Sequence, residues 1–168
     1  MSRSLSLLAV GLWLGLLVSS WVMATATFRK AEAVARDVPA PLAGRLGSVA
    51  APDRREAFRY LASEINRWMF RTVALAQAAL GAVALALLWR VGGTPRALTI
   101  AALAVVLLQL GVLAPMIAEV GRTIDFLPRP LPAPLGRRFG LLHGGYVLLD
   151  LAKAVVLAVV AFVLCRRS

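Results

Sequence analysis

Little in this 168-residue chain is equipped for covalent chemistry. One cysteine, Cys165, excludes an intrachain disulfide, and with a single histidine, His143, it leaves too few ligands for a thiolate or imidazole metal site within one chain. Nucleophile–base patterns, phosphate loops and zinc signatures are missing too, so neither an enzyme nor a bound cofactor is expected. Charge is scarce and lopsided: charged residues make up 16%, against about 25% in soluble domains, with 8 acidic and 19 basic side chains. What is abundant is apolar. Hydrophobic residues reach 60% and the mean hydropathy is +0.80, which makes a bilayer the natural solvent.

Four apolar runs stand out, at 5–28, 68–89, 97–118 and 141–164, each near the ~20 residues that cross a hydrocarbon core. They predict an all-α fold, an integral membrane four-helix bundle, with the whole chain 1–168 as one domain. The first run also has features of a signal peptide, because Arg3 precedes it and Ala24-Thr25-Ala26 resembles a cleavage site. Its length, with Trp13 and Trp21 inside it, favours a retained span.

Lys and Arg outside the runs are unequally shared. Thirteen lie in 29–71 and 122–138, and five at Arg3, Arg90, Arg96, Arg166 and Arg167. The positive-inside rule therefore expects a cell (inner) membrane protein with both longer loops in the cytoplasm and both termini outside. The basic residues flank apolar spans and form no basic-aromatic groove, so lipid headgroups, not nucleic acid, are the expected partner.

Within the first loop, Phe58, Leu61, Ile65, Trp68 and Met69 share a helical face, with Arg54, Arg55, Glu56, Arg59 and Arg67 around it. This pattern predicts a short cytoplasmic interfacial helix that turns into the second span, with Arg67 and Arg71 snorkelling toward lipid phosphates. Pro128, Pro130, Pro132 and Pro134 predict an extended strap between the third and fourth spans.

Gly11, Gly15 and Ser19 form a small-residue ridge on the first span, and Ala74, Ala78, Ala82 and Ala86 one on the second. Either ridge can seal the bundle, a homo-oligomer or a contact with another membrane protein. Pro115 predicts a kink in the third span. Beyond it, Glu119, Arg122 and Asp125 repeat every third residue, placed to form a charge cluster with Arg71, Arg137 or Arg138.

The last run holds the most informative pattern. His143, Tyr146, Asp150 and Lys153 lie at steps of three, four and three residues, on one helical face. An unpaired charge at the middle of a span costs roughly 2.5–3.5 kcal/mol on insertion scales, so Asp150 and Lys153 need partners. Gln77 and Gln109 sit at similar depth and are expected to bond to this stripe, giving a polar seam at the midplane. Two readings follow: a path or sensor for a proton, a metal ion or another small solute, or a non-catalytic accessory subunit held together by these groups.

Several landmarks resemble the transmembrane protein 205-like family, also called domain of unknown function 4149. They are Leu12-Trp13-Leu14-Gly15 in the first span, Thr27-Phe28-Arg29 at its exit, Ala114-Pro115 in the third, and FGLLHG at Phe139–Gly144 opening the fourth. The resemblance covers nearly the whole chain and implies a small four-helix membrane protein, without giving any residue a role. Where that family tends to have asparagine seven residues after the histidine, this chain has Asp150, followed by Lys153.

Overall fold

The computed structural model describes residues 2–166. Helix α1 runs Ser2–Arg36, α2 Ala40–Leu46, α3 Ala51–Leu88, α4 Gly93–Leu108, α5 Ala114–Ile124 and α6 Ala133–Arg166. A π-helical turn, Gln109–Leu113, joins α4 to α5 so that the two continue as one rod. Four rods result, each long and apolar enough to cross a membrane: α1, α3, α4–α5 and α6. The protein is an all-α four-helix bundle of the multi-pass membrane class.

The rods alternate in direction. α1 packs on α3 and α6, and α4 packs on the same two, closing a four-sided bundle. Trp68 and Trp89 are both more than half exposed at the two ends of the apolar part of α3. At 1.5 Å per residue they stand about 32 Å apart, close to the ~30 Å thickness of a hydrocarbon core, where interfacial tryptophans belong. Gln77 falls near the middle of that interval.

The chain outside the apolar zone differs from expectation in one respect. The segment before the second span is helical, but it does not turn: α3 is a single helix of 38 residues, about 57 Å long. No glycine or proline interrupts it between Pro52 and Gly81, and its outer half is buttressed by α1, which itself runs on past Phe28 to Arg36. The antiparallel pairing keeps one register throughout. Trp13 meets Gln77, Ala24 meets Asn66, and Ala35 meets Arg54.

At the opposite end, α3 reverses into α4 through Gly92 and Gly93, with φ of 68° and 61°. At Gly92, ψ is −167°, a region open essentially to glycine alone. Between this turn and the midplane lies an apolar layer that includes Val10, Trp13, Leu88, Val106, Leu157, Val160 and Leu164, all fully buried. After α5, residues 125–132 connect to α6 through turns and bends with a cis Arg129–Pro130 bond, not as the extended strap expected, and α6 begins at Ala133, with Pro134 in its first turn. That position suits proline, whose missing N–H would have no intrahelical partner there.

Candidate functional site: a closed polar ring at the midplane

Asp150 and Lys153 are almost completely buried, at 3% and 2% exposure. The Lys153 ammonium lies 2.9 Å from Asp150 Oδ1 and donates to Gln109 Oε1 at 2.7 Å. Gln109 Nε2 in turn donates to Asp150 Oδ1 at 2.9 Å and to the Tyr146 carbonyl at 3.1 Å. The three side chains thus form a closed, neutral ring. Its charges fix the orientation of the amide, since a flipped Gln109 would turn its NH2 toward the ammonium and its oxygen toward the carboxylate. Trp21 Nε1 completes the carboxylate shell by donating to Oδ2 at 3.1 Å.

The local backbone explains how Gln109 reaches this position. Pro115 has no N–H, and in a regular α-helix its ring would collide with the carbonyl four residues back. The chain widens to a π turn instead, in which the Ala114 N–H bonds to the Gln109 carbonyl. Proline at 115 is therefore accommodated by a wider turn that begins at the residue bridging the ion pair.

The remaining seam residues divide. Gln77 is buried but does not join the ring; its Oε1 accepts from Trp13 Nε1 at 3.2 Å, tying α1 to α3. Tyr146 contributes its carbonyl to Gln109, while its ring packs edge-on against Phe70 at 5.9 Å. His143 lies outside the network. It is exposed and stacks parallel to Phe139 at 5.8 Å, because the helix has by that level carried this face toward the bundle margin.

The predicted charge cluster is rearranged. Asp125 is buried and pairs with Arg67, not Arg71, while Arg71, Glu119 and Arg122 are exposed. Arg67 therefore does not snorkel. It turns inward over Gly121, also bonding Glu64 at 2.5 Å, because α5 approaches α3 closely enough to offer a buried carboxylate. Arg59 Nη2 donates to the Asp125 carbonyl at 3.1 Å. Nearby, Asn66 donates to the Ala24 carbonyl at 3.4 Å, and its buried Oδ1 has no bonding partner.

Of the packing ridges, Ala74 is buried and Ala78 packs against the apolar layer, whereas Ala82 is exposed. Gly11, Gly15 and Ser19 all face outward, and a Cβ at either glycine would meet nothing within 4 Å. The α1 face that packs is instead Ser6, Ala9, Val10, Trp13, Leu17 and Ser20. The close approach belongs to Gly81, where an added Cβ would lie 2.7 Å from the Trp13 ring.

No match to this chain was found among family models, curated proteins or solved structures. Sequence reasoning gave Trp13 and Trp21 no polar role and aimed Arg67 at lipid, while Gly81, which lies beside the alanine ridge of the second span, is where the close approach occurs. The tryptophans carried a legible signal: an indole N–H inside a span needs an acceptor, and the buried acceptors available are few.

Proposed function

We propose that this protein is a non-enzymatic membrane scaffold or accessory subunit, in which the Asp150–Lys153–Gln109 ring locks α1, the α4–α5 rod and α6 into one register. The observation that carries this reading is closure. Both carboxylate oxygens are engaged, the amide is bonded at both ends, and the ammonium touches the other two groups. Beyond the ring, the apolar layer from Leu157 to Leu164 on α6 is about 10 Å deep. The buried polar side chains toward that end, Ser6 and Thr99, are single hydroxyls on different rods, and Thr99 donates to the Pro95 carbonyl at 2.9 Å, so a proton or solute would cross mainly apolar surroundings. A buried ion pair has its best-attested role in fixing register and orientation.

The proposed setting is the inner membrane, with both termini outside and the longer loops in the cytoplasm, supported by the thirteen-to-five distribution of Lys and Arg. Membership of the transmembrane protein 205-like family is part of the proposal. In that context, the Asp150 and Lys153 charges act as a compensated pair in place of a neutral amide.

A second reading, passage or sensing of a proton or small solute along the seam, is favoured by the π turn at Gln109, since such turns recur at functional sites. Dissipation of a pH gradient in proteoliposomes separates the two. The scaffold reading expects wild type to match empty liposomes. Flux above that background which vanishes in a folded Asp150→Leu/Lys153→Leu variant would establish the relay and end the scaffold reading.

A further inference from the structure

Past the apolar zone, the arms of α1 and α3 and the connector after α5 enclose an open groove of about 670 Å³. Arg36, Arg54, Arg55, Arg59 and Arg129 line it against a single carboxylate, Glu56. Two of these guanidinium groups are fixed in place by backbone carbonyls. Arg54 donates to the Ala35 carbonyl at 3.0 Å and to that of Val49 at 3.4 Å, and Arg59 donates to that of Asp125. A carbonyl positions a guanidinium without neutralising it.

The neighbouring acids do not balance this charge. Glu32 pairs with Arg55 at 2.9 Å, and the Asp125 carboxylate is committed to Arg67. Partial burial, with Arg59 alongside, holds Arg129 below the usual guanidinium range, and Asp125 offsets part of that effect. Ala51 and Pro52 bring the start of α3 to the same groove; no side chain caps the helix there, and Asp53 in its first turn offsets part of the positive end of its dipole.

We propose that this groove binds a phosphate-bearing ligand, held by the converging forks of Arg36, Arg54, Arg59 and Arg129. Planar guanidinium groups match phosphate oxygens two at a time, and several converging forks suit a group with more than one negative charge. Arg36 lies about 12 Å along α1 from Phe28, where the apolar run ends. The headgroup layer is only roughly 5–7 Å deep on each side. The groove therefore opens about 5 Å beyond that layer, directly to a soluble phosphate, and a lipid phosphate reaches it only where the arginine side chains extend back toward the membrane. The inference is independent of the scaffold reading.

The test uses the full-length protein in phosphatidylcholine nanodiscs, titrated with inorganic pyrophosphate at low salt. Arg36→Gln/Arg129→Gln removes two groove charges while keeping the carbonyl bonds of Arg54 and Arg59, and Arg71→Gln/Arg122→Gln removes two exposed charges elsewhere. The expected result is pyrophosphate binding weakened on the order of tenfold or more by the groove variant, and less than about twofold by the control. If the ligand is a lipid, pyrophosphate does not bind, but phosphatidylglycerol supplied in the disc is co-retained in native mass spectrometry and lost in the groove variant alone. Equal losses in both variants, or no binding of either probe, would overturn the proposal.

Discussion

Replacing Lys153 by methionine keeps most of its volume and removes its charge, leaving Asp150 with Trp21 and Gln109 as donors and Gln109 Oε1 without one. The companion change, Asp150→Asn, keeps the shape of the acid but turns an amide toward a buried ammonium. Stripping one partner from a buried ion pair costs about 3–5 kcal/mol, because the survivor stays desolvated and uncompensated. With both side chains at most 4% exposed, little solvent screening reduces that cost. Replacing both charges at once is often close to neutral. Asp150→Asn/Lys153→Met is therefore expected within about 2 kcal/mol of wild type, and its coupling energy should be at least about 3 kcal/mol. Reversible unfolding in mixed micelles, followed by tryptophan fluorescence, measures all three variants. If the double variant merely adds the two single costs, the pair is not a lock and the argument from closure fails.

Four further expectations concern individual contacts. Trp21→Phe removes one charge-assisted donor from Asp150 and should cost about 1.5–3 kcal/mol in the same unfolding assay; an unchanged midpoint would mean that the indole bond contributes nothing net. Gly81→Ala drives a methyl into the Trp13 ring and should cost about 1–3 kcal/mol, whereas Gly15→Ala, facing outward, should stay within about 0.5 kcal/mol. A large loss at Gly15 would reveal a second chain on that face. Arg67→Met strands the buried Asp125 carboxylate and should destabilise by about 3 kcal/mol, while Arg71→Met should have almost no effect; equal losses would refute the pairing assigned here. His143→Ala should leave stability within about 0.5 kcal/mol of wild type, and a larger loss would contradict the placement of this residue outside the network.

The sequence was most legible where one physical requirement dominated. Long apolar runs placed the four rods, because a span must satisfy every backbone group internally, and the cost of burying Asp150 and Lys153 made their pairing with each other and with Gln109 foreseeable. It was least legible where two neighbours competed for one group. Gln77 had two routes to satisfaction, and only the register between α1 and α3 assigns it to Trp13. Arg67 and Arg71 are one helical turn apart and look alike on paper, yet the approach of α5 gives Asp125 to Arg67 alone. The ridge of Gly11, Gly15 and Ser19 announced a close contact that this fold makes at Gly81 instead, since a small residue permits an approach without requiring one. The unbroken length of α3 was hidden because the headgroup zone and a helix buttressed by α1 both favour the same amphipathic spacing.

That unbroken helix also acts as a ruler. With α1 and α3 continuous from the tryptophan at one interface to the arginine-lined arms beyond the other, the height of those arms is set by residue count, not by a flexible joint. Deleting one residue from α3 between Arg59 and Trp68 would lower the arm by about 1.5 Å, and it would also rotate it by roughly 100°, turning Arg59 away from the connector. Spacer length and facing direction are thus a single inherited quantity in this fold, and neither can drift without the other.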